Sequence, residues 1–559
     1  MIVTLPHDEA PIVGHTWRSS RLLCATVMVG LADPLAQDWT VAGLVHHNLG
    51  SYDPRNWELT VRQEIITMKQ DPSNSAPVAT SDNRAFEIEK HGIDHIPESE
   101  RRGRPLDLFW IWFGANVIFT YIIDGAIIVG FGLGFWAALT VVLIGNLFYI
   151  LLGLCSIPGA RVGTATMVVS RSAFGVLGNA PAAFLSWLTA VGWEAVNIVI
   201  GALSLAAIFV EVGSGTGVGW RVLALVLIVL LTFSVAVLGH ATIQLLNKFF
   251  SYALGIGTVV LGLFVMPKIN LDAHPALGAP TERGAWLLAL VVMAAAPLSW
   301  VNTGADYSRY LPRATSGARI TVWTALGGFV PAVVITVIGV AAATATDMSD
   351  PVAGLQAILP EWFFVVYLLV IVGGTITNNF LNSYSSGLSL LAFGLKAKRY
   401  QAVLIDAAIG TGLSAYALFV FDFTNSFIAF LSIMVLWIAP WCGIYLADML
   451  LRRASYDMEA LGRRDGGYWY RKGFNPIALG WFAVGIICAA LFSNSTVFRG
   501  PLVDSIGGGD ISIFVGLIVA FVGYYAMMRG RVVTGPQTVT VPSRSSAKAS
   551  ASRVEEGSV

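Results

Sequence analysis

Long apolar runs, separated by short stretches that carry the charges, are the feature that most constrains the fold of this chain. An α-helix needs roughly 20 predominantly apolar residues to cross a lipid bilayer. Twelve runs approach or exceed this length and are numbered below as spans 1 to 12. They lie near residues 108–132, 135–157, 181–210, 219–239, 243–267, 285–304, 319–343, 362–393, 401–421, 424–449, 475–494 and 511–528. The sequence therefore predicts an all-α polytopic membrane protein, with the lipid bilayer as its surroundings.

The composition agrees with this prediction and excludes other classes of protein. Hydrophobic residues make up 55% of the chain and charged residues 12%, whereas a soluble domain has about 25% charged residues. The formal net charge is zero, which argues against a nucleic-acid binder, because such proteins are basic. The four cysteines form no CxxC pair, and no Walker, GxSxG or HExxH motif is present. We therefore expect no enzyme activity, no cofactor and no resident metal.

Lysine and arginine residues are unevenly distributed between alternate loops. If the N-terminus is cytoplasmic, the loops on the opposite side hold only Arg221, Lys268, Arg283 and Arg499. The cytoplasmic loops of membrane proteins carry the excess of positive charge. We therefore predict a multi-pass protein of the cell membrane (plasma or inner membrane) whose N- and C-termini are both cytoplasmic.

Both ends of the chain are polar. We expect residues 1–105 to form a disordered N-terminal tail and residues 531–559 to form a disordered C-terminal tail. The sequence from Met68 onward resembles an ordinary cytoplasmic start. We therefore hypothesise that residues 1–67 are an upstream extension, the alternative being a genuine regulatory tail. The transporter-like domain would then occupy residues 106–530.

Spans 1 and 6 each contain residues that interrupt a helix. Span 1 carries Thr120, Asp124 and Gly125 midway, and span 6 carries Pro297 followed by Asn302. Proline removes a backbone donor, and glycine tolerates an unwound backbone. The sequence therefore predicts a broken helix in each span, the alternative being an ordinary kink.

Broken helices at matching positions are typical of transporters built from inverted repeats, in which substrate and ion bind at the breaks. Spans 1 and 6 match if five spans are followed by five more. The predicted first repeat then covers about 106–267 and the second about 285–450. Two extra helices follow at about 475–528. A chain of this kind carries a small solute across the membrane.

Spans 3 and 8 carry residues suited to a planar ligand. Trp193 and Asn197 are four residues apart, as are Asn378 and Asn382, so each pair shares one helix face. Tryptophan offers a flat surface, and asparagine offers one acceptor and two donors. The pattern predicts a site where a heteroaromatic ring stacks and is recognised at its edge, with Trp300 as a second stacking surface. The alternative is hydrogen bonding between helices.

Two acidic residues lie inside the predicted spans. Asp124 is in the middle of span 1, and Glu194 follows Trp193 in span 3. Intramembrane carboxyl groups are by default candidates for function, and in a low-dielectric cavity they can exchange a proton near neutral pH. They are therefore predicted proton-coupling residues, the alternative being neutral carboxyls bonded to a neighbouring helix.

Five segments together resemble the purine–cytosine permease branch of the nucleobase–cation symporter-1 family. They are SRSAFGVLGN (170–179), VGWEAVN (191–197), WVNTGADYSRYLP (300–312), TNNFLNSYSSGL (377–388) and WIAPWCGIYLADMLLRR (437–453). The resemblance covers roughly residues 90–530. It implies a LeuT-like fold of two inverted five-helix repeats plus two C-terminal helices. It also implies cation-coupled uptake of nucleobases by alternating access.

The resemblance also carries over to single positions. It implies that Trp193 and Asn197 in span 3, Trp300 in span 6, and Asn378 and Asn382 in span 8 bind the substrate. These asparagines suit cytosine, adenine, guanine and hypoxanthine alike.

The chain departs from the sodium-coupled relatives at the cation position. Those relatives place adjacent hydroxyl residues just before the first span-8 asparagine, whereas this chain has Ile376 and Thr377 there. One oxygen ligand is therefore missing. Together with Asp124 and Glu194, this favours H⁺ over Na⁺ as the coupling ion.

The predicted function is the import of cytosine or purines by proton symport with alternating access. One alternative is the transport of another heterocycle, such as allantoin, a hydantoin, thiamine or a nucleoside. A second alternative is a channel or a membrane receptor without a transport cycle. The expected partners are a small-molecule nucleobase and the lipid bilayer, with no nucleic acid.

Overall fold

The structure is a computed structural model that describes residues 85–532, apart from residues 90, 274–275, 278, 280, 420–422 and 496. The side chains of residues 423–429 are also outside the description. Residues 1–67, with the hypothesis about Met68, and the predicted C-terminal tail from residue 533 onward lie outside the described residues. The regular structure of the described part is helical, with two isolated β-bridges.

The α-helices follow the predicted spans. In chain order they are α1 (Pro105–Asn116), α2 (Thr120–Gly130), α3 (Phe135–Asn146), α4 (Tyr149–Val162), α5 (Thr166–Val169), α6 (Arg171–Phe174), α7 (Ala180–Glu211), α8 (Val218–Leu238), α9 (His240–Val265), α10 (Glu282–Ser299), α11 (Gly304–Ser308), α12 (Gly317–Ala345), α13 (Pro351–Ile358), α14 (Glu361–Phe393), α15 (Arg399–Phe419), α16 (Phe423–Arg452), α17 (Pro476–Leu491) and α18 (Ser512–Met528).

Their lengths agree with a membrane protein. Within the described residues, nine helical segments are long and apolar enough to cross a bilayer, and the bent pair α1 and α2 makes a tenth. Helices α17 and α18 are apolar but shorter, with 16 and 17 residues. The all-α polytopic prediction is thus confirmed, whereas the count of twelve spans and the repeat boundaries stay predictions.

Both spans lose regular α-helix at the predicted positions, but among the described residues only span 1 is sharply bent, and Glu282–Ser308 continues as one span. Helix α1 ends at Asn116 and α2 begins at Thr120, with a bend of 63° between them. In span 6, α10 ends at Ser299, a 3-10 turn covers Val301–Thr303, and α11 follows. Pro297 lies near the end of α10. Proline has no backbone N–H to donate to the preceding turn, which weakens the helix at this point.

Helices α7 and α14, the longest with 32 and 33 residues, pack against each other and position the candidate site. Helix α14 also lies directly against the break in span 1. A Cβ at Gly374 would lie 2.3 Å from the carbonyl oxygen of Val117, so this approach requires a glycine. Small residues permit such close helix contacts in membranes.

The segment before α1 differs from the expected disordered tail. Among residues 85–104, Ile96 is fully buried and Glu89 is buried. The Glu89 N–H donates to the carbonyl oxygen of Leu238, and the Ile96 N–H donates to that of Gly163, both at 2.9 Å. The expectation is therefore wrong for this part of the tail, because its polar groups pair with groups at the helix ends.

Candidate functional site

Three of the predicted substrate-binding residues form one hydrogen-bonded cluster between α7 and α14. The Oδ1 atom of Asn378 accepts from Asn197 Nδ2 at 2.8 Å and from Asn382 Nδ2 at 2.7 Å. Asn379 joins them, since its Oδ1 accepts from Asn197 Nδ2 at 3.1 Å. All four side chains are buried. We call Asn197, Asn378, Asn379 and Asn382 the asparagine cluster.

The asparagine cluster is attached to the break in span 1. Asn378 Nδ2 donates to the carbonyl oxygen of Ala115 at 2.7 Å, and Thr377 Oγ1 donates to that of Gly114 at 2.9 Å. The last carbonyls of a helix have no intrahelical partners. Helix α14 therefore satisfies the carbonyls that the break leaves unpaired, and Thr377, predicted to lie at the cation position, is one of the residues that does so.

One hydrogen-bonding atom of the asparagine cluster is left over. Asn197 Oδ1 is buried and has no hydrogen-bond partner among the described residues. A buried acceptor without a partner costs about 1–3 kcal/mol, and such groups in native structures call for an explanation. An N–H group of a bound ligand would satisfy this oxygen.

The two predicted stacking residues lie in separate aromatic contacts. The Trp193 ring meets Phe430 edge-on, with centroids 5.7 Å apart and the planes at 83°. The Trp300 ring meets Trp112 of α1 edge-on, with centroids 5.3 Å apart. A sandwich of the substrate between Trp193 and Trp300 stays a prediction. Sequence reasoning did not select Trp112 or Phe430, although the aromatic run WIWF in span 1 was a signal.

The two predicted proton-coupling carboxyls lie in different places. Asp124 is in α2, beyond the break, and its Oδ1 is buried without a hydrogen-bond partner among the described residues. Glu194 adjoins the asparagine cluster, because its backbone oxygen accepts from Asn379 Nδ2 at 3.1 Å. No hydrogen bond among the described residues joins Asp124 to Glu194, so the structure does not bring the two acids together.

A third buried acid was missed. The Glu194 side chain lies near Asp406 of α15, and Ser386 Oγ of α14 is 3.0 Å from Glu194 Oε1 and 2.7 Å from Asp406 Oδ2. Trp187 Nε1 donates to Asp406 Oδ1 at 2.6 Å. The signal was present in the sequence, because Asp406 is a lone carboxyl inside the apolar span 9.

A buried ionic cluster lies around Glu89, outside the spans. Its Oε1 is 2.9 Å from Arg309 Nη2, and its Oε2 is 3.6 Å from Arg399 Nε. Hydroxyl groups of Tyr310 and Tyr384 and the backbone N–H of His240 donate to the same carboxylate. Burial alone would raise the pKa of Glu89, but the charges of Arg399 and Arg309 and these hydrogen bonds lower it from 4.5 to about 2. Glu89 is therefore an anion that ties the ends of several helices together.

The ion pair of Arg309 was not foreseen from the sequence. Asp306 lies three residues before Arg309, but its Oδ1 accepts from the backbone N–H of Thr166 at 2.8 Å and from Thr166 Oγ1 at 2.9 Å. The ion-pair partner of Arg309 is Glu89, which lies 220 residues away in sequence. The acid that is near Arg309 in sequence is therefore not its ion-pair partner.

Comparison with known proteins gives a consistent set of similarities. Residues 95–539 match a family described as permeases for cytosine/purines, uracil, thiamine and allantoin. YxlA of Bacillus subtilis, which carries the name of a purine-cytosine permease, is 28% identical over 80% of this chain and 97% of its own length. The purine-cytosine permease fcyB of Emericella nidulans is 25% identical over 79% and 88%. The cytosine permease of Escherichia coli is 27% identical over 67% and 84%.

Two solved structures share the fold. Mhp1, a nucleobase-cation-symport-1 family transporter in a closed conformation with bromovinylhydantoin bound, matches with a TM-score of 0.64 and 19% identity over 81% of this chain and 96% of its own. A Na⁺-coupled sialic acid symporter in a substrate-bound outward-open state matches with a TM-score of 0.53 and 12% identity over 79% and 92%. At these identities the likeness extends to the fold alone, and it confirms the predicted LeuT-like class.

Proposed function

We propose, from the premise that this chain belongs to the family of permeases for cytosine/purines, uracil, thiamine and allantoin, that it imports cytosine or a purine by cation symport. The chain is a multi-pass membrane transporter and not an enzyme. In the proposal it lies in the cell membrane with both termini in the cytoplasm. The names of its relatives, which include purine-cytosine and cytosine permeases, support this choice of substrate.

The observation that carries the proposal is the asparagine cluster at the break in span 1. A nucleobase presents adjacent donors and acceptors along one edge, as an amide does. Asn197 offers an unpartnered buried acceptor, and the amides of Asn378 and Asn382 are held by their neighbours at hydrogen-bond distance. A ligand N–H that donates to Asn197 Oδ1 would satisfy this acceptor and remove the cost of leaving it unpaired.

The ring of the substrate would lie against Trp193, which precedes Asn197 by one helical turn on α7. Asn378 is hydrogen-bonded both to other asparagines of the cluster and to the Ala115 carbonyl. Substrate binding would therefore also act on the break between α1 and α2. Movement of one helix bundle against the other then opens the site to alternate sides of the membrane.

The coupling ion in this proposal is a proton. Sodium requires several oxygen ligands, and Ile376 supplies none at the position before Thr377. The single hydrogen of the Thr377 hydroxyl is shared among the carbonyl oxygens of Gly114, Gly373 and Gly374, which lie 2.9, 3.1 and 2.9 Å away. The membrane interior instead holds buried carboxyl groups at Asp124 and Glu194, which can carry a proton.

Uptake of radiolabelled cytosine into a permease-deficient cell tests the proposal. Saturable, concentrative uptake that is competed by adenine, guanine or hypoxanthine and collapses with a protonophore is expected. Competition by allantoin, thiamine or a hydantoin, but by no nucleobase, would replace the substrate assignment. Uptake that never exceeds the external concentration and does not saturate would indicate a channel.

A further inference from the structure

Two fully buried carboxyl groups from different helices meet at one serine hydroxyl. Glu194 lies in α7, Asp406 in α15 and Ser386 in α14 between them, and the solvent exposure of all three is 0%. Ser386 Oγ is 3.0 Å from Glu194 Oε1 and 2.7 Å from Asp406 Oδ2. We call these three residues the carboxyl pair with its bridging serine.

The hydrogen-bond inventory of this group requires an additional proton. Ser386 Oγ carries one hydrogen, yet three oxygens surround it, since the backbone oxygen of Ser383 is also 3.1 Å away. An ionised carboxylate can only accept. If both carboxyls were ionised, at least one of them would face the serine oxygen with no hydrogen between them. A proton on either carboxyl supplies the missing donor.

A second atom of the pair has room for a proton. Glu194 Oε2 is buried without a hydrogen bond of normal geometry among the described residues, and the Ser383 hydroxyl, which is also buried without a partner, lies beside this carboxyl group. It points toward α15, where a Cβ at Gly410 would lie 3.3 Å from it. An unpartnered carboxylate oxygen in an apolar interior is strongly disfavoured unless the group is neutral or paired.

The helices packed around the pair supply no neutralising charge. Among the described residues, neither carboxyl takes part in an ion pair, and the hydrogen-bond donors to Asp406 are the neutral Trp187 N–H and Ser386 hydroxyl. Helix α8 presents Phe233 on this side, 3.7 Å from a Cβ at Gly410. The other charged or titratable groups of the packed helices lie elsewhere. Arg399 and Tyr384 contact Glu89, Asp448 pairs with Arg452, and the Tyr367 ring contacts Phe363. Tyr400 is half-buried in the first turn of α15, and Glu211, Arg221, Glu361 and Tyr416 are exposed.

We propose that Glu194, Ser386 and Asp406 form a proton-binding site that holds one proton between the two carboxyl groups, and that this proton travels with the substrate. The statement that the proton travels with the substrate rests on the proposed function. In the loaded state one carboxyl donates to Ser386, and Ser386 donates to the other. On release the O–H bond of the carboxyl breaks, water takes the proton, and two carboxylates remain.

The position of the pair explains how the proton would be coupled to the substrate. Glu194 lies three residues before Asn197 on α7, and Ser386 lies four residues after Asn382 on α14, so the two sites are one helical turn apart on the same two helices. The backbone oxygen of Glu194 is itself bonded to Asn379. A shift of α7 against α14 therefore changes both sites.

The third helix supplies the conformational response. With the proton bound, α15 is joined to α7 and α14 through Asp406. Without it, two like charges in a low-dielectric interior repel each other, which favours movement of α15 away from α7. Asp406 lies seven residues from Arg399, at the end of α15 predicted to be cytoplasmic, or about 10 Å along the helix. Release toward that side is the shorter route.

An infrared pH titration of the purified protein tests the site without any substrate. We expect a carboxylic-acid C=O band from a buried group whose frequency or titration midpoint changes in both Asp406→Asn and Glu194→Gln. The exposed acid Asp347 provides the matched control, because Asp347→Asn retains the band. If the frequency and titration midpoint of the band are unchanged in both variants of the pair, the proposal is overturned. If one variant cannot be purified in a folded state, the other decides.

A transport measurement tests the coupling. Asparagine mimics the protonated carboxyl. In proteoliposomes, Asp406→Asn should therefore still exchange radiolabelled cytosine across the membrane. The accumulation of cytosine that a pH gradient drives should be at least tenfold lower than in the unsubstituted protein. Ser386→Ala should show the same loss, whereas Ser389→Ala, which removes a hydroxyl bonded to Ser186 one turn further on, should not. Accumulation by Asp406→Asn equal to that of the unsubstituted protein would overturn the proposal.

The two proposals fail in different ways. If the unsubstituted protein transports no nucleobase, the proposed function is wrong, and the infrared titration still decides whether the carboxyl pair holds a proton. If nucleobases are accumulated and the band is unaffected in both variants, the proton-binding site is wrong while the proposed function stands.

Discussion

The side-chain amide of Asn378 donates a 2.7 Å hydrogen bond to the carbonyl oxygen of Ala115, in the last turn of α1 before the helix breaks. The other atom of the same amide accepts from two further asparagines of the cluster. One side chain therefore belongs both to the predicted substrate site and to the break. This relationship makes Asn378 the position where binding and conformational change are most directly linked.

Asn378→Ala should abolish nucleobase uptake while the protein still inserts into the membrane. The substitution leaves the Ala115 carbonyl without its side-chain donor and removes the shorter of the two side-chain acceptors of Asn197 and Asn382. Each buried group left unsatisfied costs about 1–3 kcal/mol, or roughly ten- to hundredfold in affinity. Uptake of radiolabelled cytosine at equal surface expression is the measurement. Asn146→Ala is the matched control, because Asn146 is buried and donates only to its own helix. Normal uptake by Asn378→Ala would refute the site.

Gly374→Ala should impair transport through the backbone rather than through ligand contacts. The new methyl group would lie 2.3 Å from the Val117 carbonyl oxygen and force α14 away from the break. Such overpacking typically costs about 1–3 kcal/mol. We expect a lower melting temperature in detergent and reduced uptake. Gly412→Ala, on a helix face with nothing within 4 Å of the added carbon, should leave both unchanged; equal behaviour of the two variants would contradict the close approach.

Glu89→Gln should destabilise the end of the helix bundle where Arg309 and Arg399 meet. Removing one partner of a buried ion pair leaves an uncompensated charge and costs about 3–5 kcal/mol. The expected result is a lower melting temperature of the purified protein. Asp94→Asn, an exposed acid in the same segment, serves as the control. A melting temperature equal to that of the control would show that the cluster contributes little.

The same group predicts a pH dependence of stability. The pKa of Glu89 is lowered to about 2 from an ordinary value of 4.5. A lowered pKa in the folded state means that the stabilising contribution is fully present above about pH 4.5 and is lost as the pH falls through about 2. The difference in melting temperature between the unsubstituted protein and Glu89→Gln should therefore stay constant from pH 7 down to about pH 4.5 and narrow as the pH falls further.

The nature of the coupling ion can be decided by replacing ions one at a time. We expect uptake to persist when external Na⁺ is replaced by choline, and to rise as the external pH falls, because protonation loads the carrier. A protonophore should reduce accumulation to the external concentration. Loss of uptake in choline, with no response to the protonophore, would instead show sodium coupling. It would also mean that the oxygen ligands around Thr377 are sufficient to bind Na⁺.

Local features were predictable because they depend on neighbours in the sequence. Apolar runs indicated the spans, and proline, glycine and small polar residues indicated the interruptions in spans 1 and 6. The four-residue spacing of Trp193 and Asn197, and of Asn378 and Asn382, placed each pair on one helix face. The resemblance to a known family added the LeuT-like class, which the solved structures support.

Two sites could not be predicted, because their partners are distant in sequence. Asp406 is a lone acid until α15 is packed beside α7 and α14, where Ser386 brings it to Glu194. Glu89 belongs to a polar segment with no apolar periodicity, so disorder was the natural expectation. Its order comes from Arg309 and Arg399, which lie on parts of the chain more than 200 residues away.

The sequence by itself determined that this chain is a bundle of membrane helices with asparagines and acids inside it. An apolar run long enough to cross a bilayer must form a helix there, since no water is available to its backbone. Only the tertiary structure decided which polar groups share protons and charges. That outcome depends on which helices are neighbours and at what height their side chains meet, and neither is encoded in the spacing of residues along one helix.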